Sequence, residues 1–341
     1  MFDVAVIGCG VIGLPTALAV QNDLGPRARV VIFTEKLSPY TTGDVAAGLW
    51  TPYLLQSTPQ NKIVEWSKTT QDFILKLWKQ GEARDAGVSL QLMVNLSDDE
   101  NFQLPEWVKI TLGHSEFSQE QIKYYSRKYN QQFTGGYAFV SFIWEPSKFL
   151  PYLQRKFLQN GGEIKLRRIE DFDELSHFDV VVNCTGLYSR VLVPDSSVQP
   201  IRGQVARVSA PWQFHSILIN SEHNDNYVIP NENCVILGGT HQVDDYNTNI
   251  DEDDKRKILS GCCKLVPSLE KAPVIKHSAG LRPGRSQVRI ELEHRRIGNK
   301  IMKIVHNYGH GGSGITLSIG CAVDAARLVK EALGANSQSK L

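Results

Sequence analysis

Hydrophobic residues in this chain fall into two kinds of run. Asp3-Val4-Ala5-Val6-Ile7 and Arg29-Val30-Val31-Ile32-Phe33 are short, continuous and rich in β-branched side chains, which predicts buried strands. The stretches 178–183, 202–208, 235–240 and the run that opens at Ile304 read the same way. Longer segments with helical spacing cover Leu14–Val20, 144–160 and Gly320–Lys330, and no helix of comparable length separates 202–208 from 235–240.

Between the first strand and the first helix lies Gly8-Cys9-Gly10-Val11-Ile12-Gly13. Strand, glycines, helix and second strand follow in the order of a dinucleotide-binding unit. Glycines there allow a tight turn and bring backbone N–H groups to a pyrophosphate at the helix N-terminus. The second strand ends in Thr34-Glu35-Lys36, and Glu35 stands about 20 residues past the glycines, where a carboxylate accepts from ribose hydroxyls. Pro15 falls in the first turns of the helix, at the edge of where proline is tolerated.

Composition narrows the class. At 341 residues, and roughly 150 per domain, about two domains are expected. Lys+Arg of 37 against Asp+Glu of 36 leaves a net charge of +1, without the basic surplus of a nucleic-acid binder. No apolar run reaches the ~18 residues of a membrane span, and the N-terminus lacks the features of a signal peptide. Six scattered cysteines without a C-x-x-C argue against a disulfide scaffold or a cysteine zinc site. His306 and His310 are four apart but flank Asn-Tyr-Gly rather than sit on a helix, so no metal is expected. Gly311-Gly312-Ser313-Gly314 does not make a serine nucleophile elbow. Asn95-Leu96-Ser97 and Asn183-Cys184-Thr185 match glycosylation sequons, taken as chance in the absence of a secretory signal. The chain ends in Ser339-Lys340-Leu341 after a small, polar tail, a tripeptide that predicts a peroxisomal address and an import receptor as partner.

Two further segments suggest a flavin rather than a nicotinamide. Residues 39–53 are rich in hydroxyls and small side chains, so that Thr41 and Thr42 can donate to phosphates and 46–48 can approach a flat ring. Residues 304–316 form a strand and a glycine-rich turn into a helix, a second helix N-terminus able to face an anion or a ring carbonyl. The stretches VIGCGVIGL, TTGDVAAGLWTPY, DVVVNCTG, IRGQV, GLRP and HNYGHGGSGIT resemble those of the D-amino-acid oxidase and D-aspartate oxidase family, from residue 4 to about residue 330.

That resemblance implies an α/β fold, with a Rossmann-like FAD-binding domain and a second, mainly antiparallel-β substrate domain. The FAD domain would be assembled from residues 1–52, 141–195 and 276–335, the substrate domain from 53–140 and 196–275, with 336–341 as tail. FAD would be held by Gly8, Cys9, Gly10, Val11, Ile12, Gly13, Glu35, Lys36, Thr41, Thr42, Gly43, Gly48, Leu49, Ile169, Thr185, Gly186, Gly311, Gly312, Ser313, Gly314, Ile315 and Thr316. The implied reaction takes hydride from the substrate Cα to flavin N5; O₂ then reoxidises the flavin and becomes H₂O₂, while the imino acid hydrolyses to 2-oxo acid and ammonia. Arg282 matches the family's carboxylate-binding arginine and Tyr227 its active-site tyrosine. Gly312 falls where the family orients the amine, and Tyr53 is a further wall of the site. A bidentate arginine is the side chain best suited to a carboxylate.

Substrate class is the finer question. The D-aspartate branch holds a second carboxylate with extra arginines. Here the loop 218–226 contains none, and His241 stands where another is expected. An imidazole can donate to a carboxylate. With Thr240 and residues 168–175 and 183–190 also resembling that branch, the expected substrates are D-aspartate and D-glutamate, the alternative being neutral D-amino acids.

Overall fold

A computed structural model describes residues 1–221, 226–298 and 300–334. The tail 336–341, with Ser339-Lys340-Leu341, lies outside the described residues, as do residues 222–225 of the loop before Tyr227. The chain runs β1 (Phe2–Ile7), α1 (Gly13–Leu24), β2 (Ala28–Thr34), α2 (Gln60–Lys79), α3 (Ala83–Ala86), β3 (Val88–Ser97), β4 (Leu112–Glu116) and α4 (Gln119–Tyr129). It continues with β5 (Gly135–Trp144), α5 (Pro146–Gln159), β6 (Glu163–Leu166), β7 (Val180–Asn183), α6 (Ser189–Leu192), β8 (Gln199–Val208), β9 (Ser216–Asn220), β10 (Tyr227–Pro230) and β11 (Val235–Gly238). It closes with β12 (Gln242–Val243), α7 (Glu252–Leu265), β13 (Val274–Gly284), β14 (Arg289–Ile297), β15 (Lys300–Tyr308) and α8 (Gly314–Ala332).

Two sheets result. The first has the order β14-β15-β7-β1-β2-β6 and is parallel apart from its β14 edge. The continuous apolar runs of β1, β2 and β7 are explained by burial on both faces. Val4, Val6, Val30, Ile32, Val180 and Val182 pack into one core with α1, α5 and α8. Ala5, Ile7, Val31, Phe33 and Val181 pack into another with Ile169, Phe172 and Leu175. The second sheet has the order β12-β8-β11-β10-β9-β3-β5-β4, with β13 also on β8, and is antiparallel except between β3 and β9. One face of it, carrying Met93, Tyr137, Phe139 and Ile229, joins the core shared with α1 and α8. The other face is covered by α7 and α4.

Three boundaries differ from expectation. Val274–Gly284 pairs with β8 from Val208 to Gln199, so 276–284 belongs to the second sheet and the chain returns to the first only at β14. Residues 141–144 likewise pair with β3 as the end of β5. Helix α2, inside the segment expected to be substrate domain, packs on α8, and Trp66 Nε1 donates to Asp324 at 2.9 Å. An amphipathic helix follows whichever apolar surface it can bury against, which segment order alone does not reveal.

Pro15 is accommodated in the first turn of α1, where its missing N–H has no intrahelical acceptor to lose. Asn95 and Asn183, the two sequon asparagines, are buried in strands. Among the described residues no helix is long and apolar enough to cross a membrane, and no cluster of three or more His, Cys, Asp or Glu is placed to hold a metal.

Candidate active site

A cleft of about 850 Å³ opens at the carboxyl ends of β1, β2 and β7, the position where parallel sheets bind ligands. Its floor is the turn from β1 into α1. Gly8 has φ of +105°, and a Cβ there would lie 2.5 Å from the Cys184 carbonyl oxygen. Gly13 abuts the Gly8 carbonyl, which brings α1 close to the strand, whereas space beside Gly10 is open. No side chain caps the N-terminus of α1; Leu14 and Thr16 N–H donate to the Gly10 and Ile12 carbonyls, and the Gly13 N–H at the helix start is left for an anion. Around the rim stand Lys36, Arg167, Arg168 and Arg190. Glu35 lies at the far end, 3.6 Å from Arg168.

Beside this cleft is a smaller cavity of about 230 Å³ against the second sheet. Thr42, Ala46, Arg282, Gly312 and Ile315 line both spaces and so form their common wall. Arg282, on β13, is the one charged side chain among the described residues that line the smaller cavity. Its Nη1 donates to the Thr240 carbonyl at 2.9 Å and more weakly to the Arg202 carbonyl at 3.3 Å. Carbonyls orient the guanidinium without cancelling its charge, so it remains available for an anion. Gly203, on the neighbouring strand β8, is required there, because a Cβ would overlap the Arg282 guanidinium.

Tyr227 opens β10, and its ring lies over Gly238 and Gly239, where any side chain would collide with it. Burial pushes its phenol above the ordinary value while Arg282 pulls it down, which leaves a protonated donor beside the arginine. Tyr53 stands 5.9 Å from the Arg282 guanidinium, and a Cβ at Gly312 would lie 2.5 Å from its ring. Gly312 is therefore the only residue type that leaves its backbone exposed to this corner.

Most residues singled out in the sequence come together. Gly8, Cys9, Gly10, Val11, Ile12, Glu35, Lys36, Thr41, Thr42, Gly43, Ile169, Thr185, Gly186, Gly311, Gly312, Gly314 and Ile315 line the long cleft. Gly48 and Leu49 line the smaller cavity with Tyr53, Tyr227 and Arg282. Four line neither space: Gly13, which packs against the Gly8 carbonyl, and Ser313, Thr316 and His241. Ser313 and Thr316 are buried and line neither space. Their hydroxyls donate to the Tyr53 and Thr51 carbonyls and accept from the same residues' N–H groups, which clamps the 51–53 segment onto α8. His241 is exposed and is not among the lining residues. Thr240 before it turns inward, its hydroxyl accepting from Gln204 N, and the next side chain is sent outward.

Sequence reasoning missed the rim cations Arg167 and Arg190, Tyr188, and the polar pair Asn95 and Tyr137 in the smaller cavity. It also missed a buried relay beneath the cleft. Glu293 Oε2 lies 2.9 Å from His306 Nε2, His306 Nδ1 lies 3.3 Å from Asn183 Nδ2, and Asn183 Oδ1 accepts from the Thr185 hydroxyl at 2.8 Å. Burial, reinforced by Arg289, lowers the His306 pKa to about 4, so the imidazole is neutral.

The long cleft fits FAD. Its glycine turn puts no side chain where a pyrophosphate would approach, its rim is cationic, and its far end carries a carboxylate for a ribose. Asn307 Oδ1 and His310 Nε2, on residues that line it, are buried without a protein partner. Both atoms are closed off from the cleft, so the glycine turn and the cationic rim carry the fit.

Comparison with known proteins agrees. The family model described as FAD dependent oxidoreductase matches residues 3–328. The chain is 39% identical to human D-aspartate oxidase over 97% of its length and 96% of the relative's. It is 40% identical to the D-amino acid oxidase of Dugesia ryukyuensis over 97% of its length and 98% of the relative's. In structure it is similar to glycine oxidase from Geobacillus kaustophilus, with a TM-score of 0.77 and 18% identity, covering 97% of this chain and 95% of that one.

Proposed function

The chain belongs to the FAD dependent oxidoreductase family, and from that premise we propose that it deaminates acidic D-amino acids oxidatively, D-aspartate and D-glutamate before neutral ones. FAD is its cofactor. D-amino acid oxidation is the activity of its full-length relatives, and the observation that carries it here is Arg282 in the wall common to both cavities. A carboxylate held there sits beside the cofactor cleft.

Bound FAD supplies the two-electron acceptor. The chain's own residues supply position and electrostatics. Arg282 would grip the α-carboxylate through its free N–H groups, and Tyr227 would donate its hydroxyl to the same group. The exposed backbone of Gly312 would orient the amine. Tyr53, Val205, Leu218 and Ile229 supply apolar wall around these groups. No side chain is assigned the role of base toward Cα. Re-oxidation by O₂ would give H₂O₂, and the imino acid would hydrolyse to 2-oxo acid and ammonia.

Acidic preference is supported by similarity to human D-aspartate oxidase and by the carboxamides of Asn95 and Asn220 in the cavity. Neutral substrates are the second reading, favoured by the apolar walls. Peroxide production across a panel of D-amino acids, with L-enantiomers as controls, tests both. A higher kcat/KM for D-aspartate than for D-alanine is expected, and the reverse order would establish the second reading. Ser339-Lys340-Leu341 is proposed to direct the protein to peroxisomes. A fluorescent fusion ending in residues 330–341 should co-localise with a peroxisomal marker, and a diffuse signal would reject the address.

A further inference from the structure

We propose that Asn95 and Tyr137 form the subsite that takes the distal polar group of the substrate side chain, and that this group is a hydrogen-bond acceptor: a carboxylate or a carboxamide. The inference builds on the reading that a D-amino acid is held at Arg282. It begins from a single row of residues across the second sheet. Tyr227 on β10 pairs with Leu218 on β9, Leu218 with Asn95 on β3, and Asn95 with Tyr137 on β5. Directly opposed residues project to the same face of a sheet. All four line the smaller cavity. With strands about 4.8 Å apart, Asn95 stands about 10 Å along the sheet from Tyr227. A substrate fixed by its α-carboxylate at the Tyr227 end therefore extends its side chain toward the other end of the row.

That end is polar and unsatisfied. Asn95 is 6% exposed and Tyr137 2%. The Asn95 Oδ1 is sealed from solvent without a hydrogen-bond partner, so the amide nitrogen is the end turned to the cavity. The opposite amide orientation would seal N–H donors instead, a rarer and less favourable state than a buried carbonyl. Tyr137 contacts its neighbours Phe102, Trp107 and Phe139 through its ring. Burial pushes its phenol up, so it stays a protonated donor. Two neutral donors with no protein acceptor, in a cavity too small for a long side chain, suit D-aspartate, D-glutamate and their amides. They do not suit an ammonium. The second carboxylate thus needs no second arginine: placed donors discriminate strongly because a substrate lacking the matching group leaves them unpaired.

Near-isosteric variants test this in the holoenzyme. Asn95→Leu and Tyr137→Phe should raise KM for D-aspartate and D-asparagine roughly tenfold or more, with KM for D-alanine unchanged or lower and flavin content equal to wild type. Asn95→Asp should weaken D-aspartate more than D-asparagine, because only the former meets like charge. A D-aspartate to D-alanine ratio of kcat/KM that stays as in wild type, or an equal fall on both substrates, would overturn the subsite while leaving the oxidase reading intact. Wild-type protein that carries FAD yet oxidises no D-amino acid would overturn the parent reading, and the subsite with it.

Discussion

The two cavities are built on opposite principles. In the dinucleotide cleft the floor is backbone: Gly8, Gly10, the uncapped start of α1, and the Gly311-Gly312 turn into α8. In the smaller cavity a ligand meets side chains drawn from six strands, with Arg282, Tyr227, Asn95 and Tyr137 each on a different one. A backbone site tolerates no added atoms but is indifferent to chemistry elsewhere. A side-chain site tolerates changes of shape and loses whatever chemistry the changed residue supplied. The same wall therefore carries two kinds of specificity, one for a large invariant ligand and one for a small variable one.

This contrast can be broken at several points. The largest effect is expected at Gly8→Val, where a side chain would meet the Cys184 carbonyl and the positive φ would be strained. The purified variant should be colourless and release no flavin on denaturation. Arg282→Ala should retain flavin and lose roughly 10²- to 10³-fold in kcat/KM for any D-amino acid, the loss expected when a charge pair is truncated. Variant protein without flavin would show that Arg282 belongs to the backbone site instead.

Next comes acid stability of the first sheet. His306 is neutral when folded, with a pKa of about 4 against 6.5 unfolded. The unfolded chain therefore binds more protons between these values. Stability is full above pH 6.5 and falls as pH drops toward 4, by on the order of 2 kcal/mol at pH 5. His306→Gln should reduce the drop in Tm between pH 7 and pH 5, and an unchanged drop would assign it to other groups. The smallest effect is expected at His241→Phe. With the imidazole outside the cavity, the ratio of acidic to neutral substrate turnover should change by less than about twofold, whereas a large shift would return His241 to the site.

What was legible in the sequence follows the same division. The cofactor cleft is made from contiguous segments, and each glycine announces a backbone requirement that neighbouring residues confirm. Its errors were local: a hydroxyl in a glycine-rich turn can face a ligand or clamp a neighbouring loop, and Ser313 and Thr316 do the latter. The substrate cavity is assembled from residues 95, 137, 218, 227 and 282, and pairing distant in sequence decides which of them meet. The arginine and tyrosine were found through resemblance to a family. Asn95 left a signal of its own, an amide at an inward position in the alternation of β3. Its significance depends on β9 and β5 lying on either side. Arg202 in β8 behaves similarly: from the sequence a strand arginine, in the fold a buried cation paired with Asp254 at 2.7 Å and held by five hydrogen bonds.

The wall that the two cavities share has a thermodynamic consequence. Thr42, Ala46, Arg282, Gly312 and Ile315 cannot be ordered by one ligand without being ordered for the other. Part of the entropy lost on forming that wall is then charged to whichever molecule arrives first. Where the second finds the surface already set, linkage makes the gain mutual: each ligand then tightens the other by the same factor. An acid seated on Arg282 would in this way help retain the dinucleotide, and cofactor loss would be fastest when substrate is scarce.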